Sequence, residues 1–211
     1  RSIHAEAPLR PELYEEPDEE TSDKVMFVLN NVSKHNIEEK FKDLESALEE
    51  RHHQWFANYL VEDLAKAQPN FQSLYLQILT MFNEKILYAE VLRETYSSVS
   101  RILNAEATMN SSQDRTNLKN LATWLGMLTL ARDQPILHRN LSFKDLLIEA
   151  HQTQRLIIAI PFTCKVLSQA KDSKVFRPPQ PWLMELISFL VELYDFAELK
   201  LNLKFEIEVL C

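Results

Sequence analysis

A single glycine, Gly126, occurs in 211 residues. Tight hairpins, left-handed caps and phosphate-cradling loops mostly rely on glycine to reach positive φ, so a β-rich fold and a nucleotide-binding loop are both disfavoured. Cysteine is nearly as scarce. Cys164 and Cys211 match no CxxC spacing and are too few for a secreted disulfide framework, which fits a reducing compartment and hence the cytoplasm. Positive charge is also in deficit: 23 Lys and Arg stand against 31 Asp and Glu, giving a net charge of −8 and a pI near 5.3. Without a clustered excess of cations to grip phosphates, direct binding of nucleic acid is not expected, and protein partners are. The longest apolar run, from Leu156 to Phe162, is far shorter than a bilayer span and contains Pro161, so no membrane partner is expected either. Residue 1 is Arg, no signal peptide follows, and the final LKFEIEVLC reads as regular structure, so the sequence is expected to be a piece of a longer polypeptide.

What is present is helical periodicity. With 45% apolar residues the chain can bury a substantial core. Residues 1–21 carry Pro8, Pro11 and Pro17 among many carboxylates and read as an extended acidic leader; residues 22–211 read as a single helical domain. Apolar residues recur there at helical spacing in about ten segments. The first spans Ser22 to Lys34. The second opens on the capping pattern Asn36-Ile-Glu-Glu39 and stripes Ile37, Phe41, Leu44 and Leu48. The third, Arg51 to Ala67, carries Phe56, Leu60 and Leu64 and stops before Pro69; the fourth presents Phe71, Leu74, Tyr75, Ile78 and Phe82. Lys85 to Asn104 forms the fifth, with Tyr88, Val91, Leu92, Val99 and Ile102 inward, and the sixth stripes Leu118, Leu121, Ala122, Leu125 and Leu128. A capping box at Ser142 to Asp145 opens the seventh. The eighth, Arg155 to Ala170, is apolar almost all round and should be central, bent or re-started near Pro161. Pro181 starts the ninth, which stripes Trp182, Leu186, Phe189 and Leu193. In the tenth, Leu201, Leu203, Phe205, Ile207 and Val209 alternate as in a strand, but Leu199, Leu203, Ile207 and Leu210 also form a helical stripe, and a lone strand would have no sheet to join. The expected fold is therefore all-α: a HEAT-type helical-repeat solenoid of about ten antiparallel helices in five pairs, with a globular bundle as the rival.

No constellation for chemistry emerges. His52 and His53 are adjacent, point about 100° apart on a helix and lack HExxH spacing, so they read as a solvated pair. No GxSxG turn surrounds a serine, and no DDxxD cluster is present. Cys164 lies in an apolar helix and reads as an inert core thiol, and Glu38-Glu39 and Glu49-Glu50 as solvent-facing charges. Neither catalytic residues, nor a metal site, nor a cofactor is expected. The segment Val175-Phe-Arg-Pro-Pro-Gln-Pro-Trp182 differs in kind, because prolines stiffen a loop bearing two aromatics and an arginine, which lowers the entropy cost of presenting a contact surface. It also reads as a rigid connector whose Phe176 and Trp182 fill the core, and the two readings are compatible if Arg177 is exposed. On chemistry, the candidate partner-binding residues are Phe176, Arg177 and Trp182 in this loop, with Asn70 and Tyr75 around the fourth helix.

Four long strings, PNFQSLYLQIL (69–79), NLATWLGMLTLARDQPILH (120–138), KVFRPPQPW (174–182) and LKLNLKFEIEVLC (199–211), together closely resemble the middle domain of the large scaffold subunit of the Ccr-Not messenger-RNA deadenylase complex. That resemblance implies a five-repeat HEAT-type solenoid like the middle domain of the initiation scaffold of the four-G class. It implies a non-catalytic scaffold that docks a Caf-type poly(A) deadenylase and a Dhh-type DEAD-box helicase, supporting deadenylation, mRNA decay and translational repression. Other Ccr-Not subunits would be held by the rest of the parent chain. Cytoplasmic processing bodies are the expected location, with the nucleus second. The competing functional reading is an RNA-associated helical-repeat module, for which the nearest basic tract, Lys165 to Arg177, is too sparse.

Overall fold

The computed structural model describes residues 14–211. Ten α-helices and no strand occur among the described residues: α1 (Glu19–Asn31), α2 (Ile37–Ala47), α3 (His53–Tyr59), α4 (Gln72–Phe82), α5 (Lys85–Asn104), α6 (Ser112–Leu128), α7 (Phe143–Gln152), α8 (Leu156–Ser168), α9 (Pro181–Phe196) and α10 (Leu201–Leu210). The all-helical expectation holds, including α10, whose alternating pattern also suits a strand. Residues 1–13 of the expected leader lie outside the described residues. Its last three residues are already helical. The Asp18 carboxylate accepts from the Thr21 amide at 2.8 Å, so α1 begins at Glu19 rather than Ser22, with two acids in its first turn to complement the helix dipole. The capping box expected at Asn36 does not form. That side chain instead accepts from the Ser33 amide at 2.6 Å and donates to the Asn31 carbonyl at 3.0 Å, so it ties the turn rather than capping α2.

By packing, the described chain divides into two compact units, residues 14–95 and 96–211. In the first, α1 packs on α2 and α2 on α4. The expected third helix is composite: a 3-10 turn (Glu50–His52), α3, and a π-helical continuation (Leu60–Ala65). This rod is buried on nearly every side, and His52 and His53 go in with it. The solvated-pair reading of the two histidines is therefore corrected. The 3-10 turn changes the rotation per residue, and His53 lies edge-on to Phe82 with ring centroids 6.5 Å apart. Burial pushes the His53 imidazole below its usual range, and nearby Glu84 and Glu50 offset this only in part. Phe82 also meets Phe41 at 4.9 Å and Phe56 at 5.8 Å. Phe71, expected in the core stripe of α4, is exposed, because Pro69–Phe71 forms a separate 3-10 turn ahead of the helix. In α5 the charged residues Glu90, Arg93 and Glu94 are buried and mutually paired: Arg93 donates to Glu90 at 3.1 Å and to Glu94, which also accepts from Asn58 at 3.1 Å.

In the second unit α8 is the hub, as its all-round apolar sequence implies. Nine of its 13 residues are buried, and α6, α7 and α10 all pack on it. The helix runs through Pro161 without re-starting. The helices α6, α8 and α10 thus stack as alternate members of one row, while α7 and α9 pack on each other, the arrangement in which successive helix pairs share a continuous core. The stripe expected on α6 is buried in full, together with Trp124 and Gly126. Gly126 sits where α6 meets the end of α8. A Cβ there would lie 2.5 Å from Gln169 Cγ and 2.8 Å from the Val166 carbonyl oxygen. The one glycine of the chain is therefore spent on close helix approach. Positive φ is reached without it, by Asn83 (52°), Asp133 (61°) and Gln154 (59°); Asn and Asp tolerate this region better than other side chains.

Candidate functional site

The proline-bearing segment between α8 and α9 is held by an anchor that its own sequence does not contain. Thr129 to Asp133 forms a turn after α6, with Asp133 in the left-handed region. From there Asp133 Oδ1 accepts from Ser173 Oγ and the Lys174 amide, both at 2.8 Å, and from the Val175 amide at 3.2 Å. The Ser173 hydroxyl oxygen in turn accepts from the Phe176 amide at 2.7 Å and the Val175 amide at 3.1 Å. These bonds, first that from Ser173 and then that from Lys174, hold the Asp133 carboxyl below the ordinary aspartate value. At the other end Gln180 caps α9, accepting from the Leu183 amide at 2.7 Å, and Pro181 takes the first helical position. The Pro178-Pro179 peptide is cis.

The aromatics of the loop continue a chain of rings. Phe176 meets Trp182 edge-on at 5.8 Å, Trp182 meets Phe143 of α7 at 6.1 Å, and Phe143 stacks on Phe162 of α8 at 6.1 Å. Phe176 is buried and Trp182 half-buried, while Val175 and Arg177 are exposed. So the two aromatics pack inward as a connector would, and Arg177 stays exposed. The structure brings Phe176, Arg177 and Trp182 together, whereas Asn70 and Tyr75 belong to the other unit. Asn70 is exposed on the 3-10 turn before α4. Tyr75 is a core residue, only 2% exposed, with its hydroxyl pushed up to about 12 by burial. Asp133 was not singled out in the sequence, although its setting in ARDQP, ahead of a proline, is a turn signal.

For chemistry the described residues offer little. Cys164 is buried with its thiol pushed up to about 12, first by burial and then by Glu206, which disfavours the reactive thiolate. Among the described residues no group of three or more His, Cys, Asp or Glu side chains could hold a metal ion, and no helix is long and apolar enough to cross a membrane. What the second unit presents is a rigid helical stack with a pinned loop.

Residues 13–211 match the family described as the CCR4-NOT transcription complex subunit 1 CAF1-binding domain. The chain belongs to this family. Relatives of the CAF1-binding domain include the general negative regulator of transcription subunit 1 of Schizosaccharomyces pombe, 43% identical over 99% of this chain and 10% of the relative. The Saccharomyces cerevisiae protein of the same name is 39% identical over 89% of this chain and 9% of the relative. The CCR4-NOT transcription complex subunit let-711 of Caenorhabditis elegans is 34% identical over 93% and 8% respectively. The chain thus spans about a tenth of the length of these curated relatives, so the CAF1-binding domain is one part of what such proteins contain.

Proposed function

We propose that this CAF1-binding domain is a non-catalytic docking platform that seats a Caf-type poly(A) deadenylase within a CCR4-NOT assembly. The single observation that carries the reading is the match of nearly every residue of the chain to a family described by that binding role. Its physical counterpart is a helical stack with a buried, unreactive thiol and a pinned surface loop. A preorganised wall of this kind loses little conformational entropy when a partner seats on it. In the finer reading, the domain also contacts a Dhh-type DEAD-box helicase and supports translational repression, acting in the cytoplasm and its processing bodies. Support for this is chemical: a net charge of −8 suits basic patches on such a partner and does not compete for RNA.

The test is a pull-down of the domain against purified deadenylase and helicase, scored with an ATPase assay. Deadenylase capture is expected. Capture of neither protein together with tight binding to bare RNA would overturn the platform reading. Arg177→Glu is expected to weaken helicase binding by about tenfold or more while deadenylase binding is kept, as for loss of one charged contact. Equal loss of both, with a lower melting temperature, would assign the loop a structural role alone.

A further inference from the structure

Against a net charge of −8, cations gather where the turn after α6 meets the link between α8 and α9. Arg132 in the first segment and Lys171, Lys174 and Arg177 in the second are all exposed, and the two carboxylates beside them are Asp133 and Asp172. The segments are some forty residues apart in sequence and joined in space. The turns Leu130–Arg132 and Gln169–Asp172 pack on each other, and Asp133 accepts from the Ser173 hydroxyl and the Lys174 and Val175 amides. One of the two carboxylates is thus already engaged by its own chain. Among the described residues Lys171, Lys174 and Arg177 form no ion pair.

These cations stand on a backbone that is already fixed. The amides of residues 174 to 176 are held by Asp133 and Ser173, the Arg177 amide donates to the Val175 carbonyl at 3.1 Å, and the Arg177 carbonyl accepts from the Gln180 amide at 2.9 Å. Phe176 is turned into the core beneath, while Val175, 53% exposed, stays outside between Lys174 and Arg177. An anion that seats here orders little loop. The Arg177 guanidinium can take a carboxylate through two parallel hydrogen bonds, and Lys171 and Lys174 act as point charges. Nucleic acid fits less well. Exposed Asp172 repels a continuous run of phosphates, and no base can stack on Phe176, which is buried, or freely on Trp182, which is half-buried against Phe143. We propose that the edge formed by Arg132, Lys171, Lys174, Val175 and Arg177 docks an acidic segment of a partner protein, its carboxylates spaced around one apolar side chain that covers Val175. This inference rests on neither the deadenylase nor the helicase reading.

The probe is a fluorescein-labelled synthetic peptide of Glu and Asp residues around a central Leu, read by fluorescence anisotropy on the intact chain. Its controls are the same peptide with every Glu and Asp replaced by Gln and Asn, and a labelled single-stranded RNA. Binding of the acidic peptide is expected, weakening as salt is added. The reversing pair Lys174→Glu with Arg177→Glu should lower its affinity about tenfold or more, and the neutralising pair Lys174→Gln with Arg177→Gln should fall between that variant and the parent. Lys24→Glu with Lys42→Glu, exposed positions in the other unit, changes the net charge equally and should alter the affinity by less than about twofold. The side chains at 174 and 177 are exposed, so an unchanged melting temperature is expected for both loop pairs. No binding of the acidic peptide, equal binding of its neutral control, tighter binding of the RNA, or an equal response to the loop and control pairs would overturn the proposal. So would self-association of the chain, seen by sedimentation and abolished by Lys174→Gln with Arg177→Gln, because the occupant would then be a second copy. None of these results bears on the deadenylase pull-down.

Discussion

Replacing Gly126 by alanine sets two effects of known sign against each other. In a helix interior alanine is favoured over glycine by about 1 kcal/mol through backbone entropy, so α6 judged on its own would gain up to that amount at Gly126, which lies in its last turn. The new Cβ, however, would stand 2.5 Å from Gln169 Cγ, 2.7 Å from its Cβ and 2.8 Å from the Val166 carbonyl oxygen. These atoms are not the free end of a flexible side chain: one is backbone of the central helix α8, and the others are the root of a side chain in the following turn. Relief requires α6 and α8 to part by several tenths of an ångström across an interface where Leu121, Ala122, Leu125, Ile160 and Val166 are buried. Overpacking costs about 1–3 kcal/mol, and three contacts under 3.0 Å, one of them to backbone, place this site at the upper end, so about 2–3 kcal/mol less a gain of at most about 1 leaves a net loss of about 1–2 kcal/mol. For a domain of this size that is a fall in Tm of about 2–8 °C. Thermal unfolding followed by circular dichroism measures it, with the exposed Thr116→Ala of the same helix as the propensity control. A Gly126→Ala protein as stable as the parent, or more stable, would refute the argument that close approach is what this glycine is for.

Three further outcomes follow from the buried charge, the anchored loop and the thiols. Arg93→Ala leaves Glu90 and Glu94 buried without their cation and should destabilise the protein by about 3–5 kcal/mol in urea titrations, whereas replacing all three by apolar residues of similar volume should recover most of that loss. Because the Asp133 carboxyl is held below its ordinary value of 3.8, the bonds it accepts persist above that pH and are lost only as pH falls through the lower folded value. The Lys174 and Val175 amide resonances should therefore titrate with a midpoint below 3.8, and Asp133→Ala should abolish the transition. A thiol reagent should label the exposed Cys211 quickly in the native protein and reach buried Cys164 only on unfolding; prompt modification of both would contradict the close packing of α8.

The helices were legible because burial on one face leaves a period of 3.6 in the sequence, and this held even for α10, where a period of 2 competed with it. Legibility declined wherever a side chain did something other than bury or solvate. Asn36 looks like a helix cap but is used to tie the preceding turn. His52 and His53 look like surface charges, yet a 3-10 turn and a π-helical continuation bury the whole rod they belong to. On α5, Tyr88, Leu92 and Ile102 are only half-buried, because the inward face runs through Leu87, Val91, Val99 and Leu103 and is partly filled by the Glu90, Arg93 and Glu94 cluster.

Composition and periodicity alone settled that the described chain is helical and acidic and that α8 is buried within its own unit, because those properties follow from local patterns of burial and charge. The loop at 173–182 could be picked out by its prolines, but not its anchor: Asp133 lies some forty residues earlier, and only the packing of the α6 turn against the end of α8 brings it within 2.8 Å. Tertiary structure likewise decided that Gly126 serves helix approach rather than a turn, that Tyr75 belongs to the core while Arg177 is exposed, and that Leu201, Phe205 and Val209 are exposed. The physical reason is common to all of these. A residue's period says which side of its own helix it shares, but which side is covered depends on neighbours distant in sequence.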